Sequence, residues 1–154
     1  MKVVLGKLSD QRHEVRVTRG DGTEESVELD SRSFLRHDRG HFAVELELGL
    51  EAGVWGSVAR GGSLTGEGLD GADMVLAETV SGPMQTMMRT RATVTEIRDV
   101  LARVAPEVAS PDLAARIHER LRALAGHWAD TPYGGEMVLH WPDDPTAGHR
   151  RLSS

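Results

Sequence analysis

Apolar and charged side chains alternate along the first thirty residues, and this alternation constrains the fold more than any other feature of the sequence. Residues 13–18 place valines on one face and charged residues on the other, as a strand with one buried face does. A Gly-Asp-Gly turn at 20–22 is typical of a hairpin, and the alternation resumes at 26–29. Residues 2–8 are also rich in valine and leucine. We therefore predict a three-stranded antiparallel meander.

The second half of the chain carries the signals of two helices. Residues 93–96 match a capping box, and the apolar residues after them recur with a helical period until Pro106. Ser110 precedes a first-turn proline and a second amphipathic stripe, for which Gly126 is the expected C-terminal glycine. The short link between the two segments predicts an antiparallel helical hairpin.

Three further segments complete the predicted fold. Residues 34–48 are predicted to form a helix, although 42–48 also alternate with period two, so a strand beginning near His41 is the competing prediction. Methionines at helical spacing indicate a helix beginning near Met84, after Pro83. A last strand is expected at 135–141.

Together these segments predict an α+β protein. A small antiparallel sheet, made of the N-terminal meander and the C-terminal strand, would pack against three to four helices. We expect residues 1–142 to form a single domain, since 154 residues can bury a core without disulfides or metals. The polar residues 143–154 are expected to be a loose tail.

Composition excludes several classes of function. The net charge of −6 argues against nucleic-acid binding, which needs clustered lysine and arginine. The absence of cysteine rules out disulfides, thiolate metal sites and cysteine nucleophiles, and it fits a cytoplasmic protein. No apolar run is long enough for a signal peptide or a membrane span. A small-molecule ligand and a homo-oligomer are both compatible with the sequence.

A Gly-x-Gly-x-x-Gly pattern at residues 66–71 does not predict a nucleotide site. A dinucleotide-binding fingerprint needs a preceding strand and a following helix, and it places phosphate against backbone amides. Here the pattern lies in a predicted loop, and Glu67 and Asp70 would repel a pyrophosphate. We therefore expect a loop and no nucleotide cofactor.

The segment His37-Asp38-x-x-His41-x-x-x-Glu45 is the strongest chemical signal in the chain. In a helix, residues four apart lie on one stripe, so His37, His41 and Glu45 could bind one divalent metal such as zinc or iron. Asp38 stands where zinc proteases carry glutamate. Its shorter side chain makes it a weak general base, but it could orient a histidine through the second ring nitrogen.

Other third ligands and another function remain alternatives. Glu51, His118 and His127 could be brought to the two histidines by folding. A bound metal would most simply support hydrolysis by lowering the pKa of a bound water. The competing hypothesis is a non-enzymatic binding or oligomerisation domain in which the histidines are structural.

The segment from Phe34 to Glu45, with Leu48-Gly49-Leu50 and Gly53-Val54-Trp55-Gly56 after it, resembles small uncharacterised bacterial proteins that share HDxxHxxxE. Those proteins have no established activity to transfer. The HDxxH segment is also similar to the metal motif of a ubiquinone-biosynthesis protein family. That family carries a more distant glutamate, at a point where this chain has Gly53, and Glu51 is the nearest acid here.

Overall fold

Four antiparallel strands form one sheet in the computed structural model, which describes residues 1–66, 71–88 and 92–142. The strands lie in the order β3-β2-β1-β4, and their bounds are β1 Lys2–Lys7, β2 Arg12–Thr18, β3 Glu24–Asp30 and β4 Glu136–His140. Val3 of β1 lies opposite Val17 of β2 on one side and Leu139 of β4 on the other. The predicted meander and its C-terminal partner strand are confirmed.

Five helices complete the described part of the chain, and they confirm the α+β class. Their bounds are α1 Phe34–Leu48, α2 Val54–Ala59, α3 Ala72–Met88, α4 Val94–Val104 and α5 Pro111–Asp130. Helices α4 and α5 pack against each other as the predicted hairpin, and α1 packs against both α3 and α5. None of these helices is both long enough and apolar enough to cross a membrane.

Helix α1 confirms the helical prediction for residues 34–48, and the competing strand from His41 is wrong. The helix ends at Gly49, whose φ of 66° lets its N–H bond back to the carbonyls of Glu45 and Leu46. Phe42 and Val44 are both fully buried. Because α1 is covered on two sides, apolar residues occur on both of its faces. Their order along the chain therefore resembles the period-two alternation of a strand.

Two predicted helix ends are wrong. Helix α3 begins at Ala72 and continues through Pro83, where the sequence favoured a start. The buried side chains of Val80 and Met84 hold it on the core from both sides of the proline. Helix α5 continues through Gly126 to Asp130, because an interior glycine costs only about 1 kcal/mol. The longer α3 brings Glu78 next to α1.

The core lies between the sheet and the helices. It includes Val3, Leu5, Val15, Val17, Phe42, Met84, Ile97, Ile117 and Leu139. The middle of the glycine pattern, residues 67–70, and the predicted tail, 143–154, lie outside the described residues.

Candidate metal centre

His37 and His41 lie one turn apart on α1 and converge on Glu78 of α3. The ring centroids of the two histidines are 4.5 Å apart. Glu78 Oε1 lies 3.4 Å from Nε2 of His41 and 4.0 Å from Nε2 of His37. Each of the three residues offers one ligand atom, and these atoms all lie within 4.8 Å of one another. The arrangement is that of two histidines and one carboxylate around a common point.

The Nε2 atom of His41 is buried and has no hydrogen-bond partner in the described part of the structure. Its side chain is 0% exposed. A buried polar atom without a partner costs free energy, and such atoms are rare in folded proteins. A cation between His41 and Glu78 would remove this cost.

Both histidines are held by carboxylates at their other ring nitrogen. Nδ1 of His41 lies 3.1 Å from Glu45 Oε1, and Nδ1 of His37 lies 3.3 Å from Asp38 Oδ1. A carboxylate at Nδ1 favours the tautomer with a proton there, which leaves the Nε2 lone pair free for a metal. The two rings are therefore oriented with Nε2 towards Glu78.

Glu45, predicted as the third ligand, lies behind His41 and outside the group of converging ligand atoms. Its carboxylate accepts hydrogen bonds from the backbone N–H of Val54, at 2.8 Å, and of Trp55, at 3.0 Å. Both donors belong to the first turn of α2, where orphan N–H groups favour an anion. With His41 Nδ1 as a third contact, Glu45 is fully buried and engaged on both oxygens.

Asp38 bridges His37 to a second buried histidine on the sheet. Its Oδ2 lies 3.7 Å from His13 Nε2, and His13 Nδ1 lies 3.0 Å from the hydroxyl oxygen of Ser31. The carboxylate is therefore placed beside Nδ1 of His37, the contact expected of a residue that orients the ring.

The electrostatics of His37 and Asp38 follow from their contact. The hydrogen bond with Asp38 raises the pKa of His37 above its ordinary value, although partial burial opposes this. Burial tends to raise the pKa of Asp38, but the nearby His13 ring and the hydrogen bond with His37 outweigh it and hold that pKa below its usual range. Asp38 is thus an anion at neutral pH.

Sequence reasoning missed Glu78, and the other third-ligand candidates lie elsewhere. Glu51 and His127 are exposed, and His118 lines a cleft beside α1. The signal that could have found Glu78 is the spacing of Met74, Ala77, Val80 and Met84, all buried. That spacing predicts a helix through Pro83, with Glu78 beside its inward face.

No protein family, curated protein or solved structure matches this chain. The resemblance to small bacterial proteins that share HDxxHxxxE, and the similarity to the HDxxH metal motif of a ubiquinone-biosynthesis family, therefore stay predictions.

Proposed function

We propose that this protein binds one divalent metal ion, zinc or iron, through Nε2 of His37, Nε2 of His41 and the carboxylate of Glu78. The observation that carries the proposal is the buried, unpartnered Nε2 of His41, which faces Glu78 while Glu45 holds its Nδ1. A ligand set of two histidines and one carboxylate is used by catalytic zinc sites and by non-haem iron sites.

The distances support this ligand set. Metal–ligand bonds of about 2.0–2.1 Å in a tetrahedron place neighbouring ligand atoms about 3.3–3.4 Å apart. The separation of His41 Nε2 and Glu78 Oε1 is 3.4 Å, and that of His37 Nε2 and Glu78 Oε1 is 4.0 Å. A small rotation of the exposed Glu78 side chain would bring the second distance into the same range.

We propose metal-assisted hydrolysis as the reaction. Three protein ligands leave a coordination position open, as catalytic sites require and structural sites do not. The side chains of Glu78 and His37 are 52% and 34% exposed, so water and a small substrate could reach that position. A bound metal would lower the pKa of a coordinated water to about 7. Glu45 and Asp38 would keep the two rings in place.

The competing function is a binding domain with structural histidines. It is favoured by the complete burial of His41 and Glu45, which together link α1 to the first turn of α2. In that function no metal binds, His41 would be needed for folding, and removing Glu78 would leave the stability unchanged.

Metal analysis of the protein purified without a His tag tests the proposal. We expect about one equivalent of zinc or iron per chain, lost in Glu78→Gln and in His41→Ala. Glu78→Gln is the more informative variant, because the Glu78 side chain is half exposed and its replacement leaves the core intact. His118→Ala is the matched control and should keep its metal.

The outcomes separate binding from catalysis. Only trace metal, with no rise in Tm on adding zinc, iron or manganese, would overturn the metal site. The hydrolytic function predicts that the metal-loaded protein hydrolyses an ester, phosphate or amide test substrate and that a chelator abolishes this activity. Stoichiometric metal without such chelator-sensitive hydrolysis would overturn it.

A further inference from the structure

A basic cleft lies between α1 and the α4–α5 hairpin. Its volume is about 780 Å³, and its lining includes the three cations Arg36, Arg39 and Arg122, together with His118. Ile97 and Leu121 provide an apolar wall. No aspartate or glutamate lines the cleft among the described residues, although the whole chain carries 24 acidic and 18 basic side chains. The positive lining is therefore a local feature and does not follow from composition.

Arg39 is the group that points to a ligand. The residue is only 8% exposed, and no carboxylate in the described part of the chain forms an ion pair with it. Its one hydrogen bond there, from Nε to the carbonyl of Leu35, is long at 3.4 Å. A buried charge without a partner is costly, so such arginines normally have a counter-ion.

The positive charge of Arg36 adds to the free-energy cost of burying Arg39. Arg36, three residues before Arg39 on α1, lines the same cleft, and the negative charge of Asp38 offsets its effect on Arg39 only in part. Two cations near each other, in a cleft that is otherwise partly apolar, create a positive potential that an anion would relieve.

We propose that this cleft binds a small organic phosphate, with the phosphate group on Arg36, Arg39 and Arg122 and an apolar body against Ile97 and Leu121. Guanidinium groups bind phosphate oxygens in a bidentate geometry, and several of them suit a dianion better than a carboxylate. The apolar wall favours an organic ester over inorganic phosphate. This site uses none of the three proposed metal ligands and is independent of the proposed metal function.

Thermal unfolding with phenyl phosphate tests the proposal. The protein is first treated with a chelator, so that phosphate cannot bind through a metal, and ionic strength is kept constant with chloride. We expect the Tm to rise with phenyl phosphate concentration, and to rise less with benzoate and not at all with phenol.

Two variants and a control locate the binding. Arg39→Met should abolish the response and weaken affinity about tenfold or more, while its Tm without ligand should equal or exceed that of the wild type. Arg122→Met, at an exposed position, should weaken the response without affecting the core. Arg98→Met, on the outer face of α4, should respond like the wild type.

Three results would overturn the proposal. The first is no rise in Tm with phenyl phosphate, and the second is a rise with phenol equal to that with phenyl phosphate. The third is a response of Arg122→Met to phenyl phosphate that equals that of the wild type. Because Arg122 is exposed, the last result remains informative even where Arg39→Met does not fold.

Discussion

Gly53 lies so close to the carboxylate of Glu45 that any larger residue at position 53 would have to displace it. A Cβ atom at position 53 would lie 2.5 Å from Glu45 Oε2, well inside van der Waals contact. The same carboxylate accepts hydrogen bonds from Val54 and Trp55 and holds Nδ1 of His41. A backbone position eight residues after Glu45 on the chain, and twelve after His41, therefore helps to orient a proposed metal ligand.

Replacement of Gly53 by alanine should destabilise the protein by roughly 2–4 kcal/mol. The added methyl group must displace a buried carboxylate and strain its hydrogen bonds. Urea unfolding, followed by circular dichroism, measures the change in the free energy of unfolding. Gly126→Ala is the matched control, because nothing lies within 4 Å of its would-be Cβ and α5 should gain about 1 kcal/mol. Equal stabilities for Gly53→Ala and the wild type would show that Glu45 moves freely.

Replacement of Glu45 by glutamine should weaken metal affinity about 10- to 100-fold without removing the site. An amide keeps the size of the side chain but loses the negative charge that orients His41. Competition with a fluorescent zinc chelator measures the affinity, and Glu119→Gln, at an exposed position on α5, should leave it unchanged. A larger loss in Glu45→Gln than in Glu78→Gln would identify Glu45 as the ligand and contradict the role proposed for Glu78.

Asp38→Asn should lower the pKa of His37 in the metal-free protein. The hydrogen bond that His37 donates to Asp38 raises that pKa above 6.5, against the effect of burial, and an asparagine carries no charge to do so. Because the folded-state pKa is raised, the pair stabilises the fold below pH 6.5, and this contribution disappears as the pH rises through the folded-state pKa.

NMR titration of the His37 ring protons measures this shift directly. Asp99→Asn, on the exposed side of α4, should leave the His37 pKa unchanged. A wild-type His37 that titrates at or below 6.5 would contradict the contact with Asp38.

The sequence predicted the fold well because its signals are local. The alternation of β2, the capping box at Thr93 and the N-cap at Ser110 all act within a few residues, and each was found where predicted. The helix ends at Pro83 and Gly126 were wrong because buried contacts outweigh the local cost of an interior residue of either kind, about 3 kcal/mol for proline and about 1 kcal/mol for glycine.

The candidate site was predictable only in part. The spacing of His37 and His41 places both rings on one stripe of α1, a local consequence of the helix. Glu45 lies on the same stripe but is engaged by α2, and Glu78 comes from α3, so the converging group depends on tertiary packing. Spacing along one helix cannot show which carboxylate another element has already bound.

Met84→Ala should destabilise the protein by about 2–5 kcal/mol and also weaken the proposed metal site. Met84 is fully buried on α3, and removing its side chain leaves a cavity into which the helix can shift. Glu78 lies on the same helix, so a shift of α3 would lengthen its 3.4 Å separation from His41 Nε2. Urea unfolding and zinc competition measure the two effects. Val75→Ala, at a position 66% exposed on α3, should change both by little. A destabilised Met84→Ala with wild-type zinc affinity would show that the position of Glu78 does not depend on the packing of its helix.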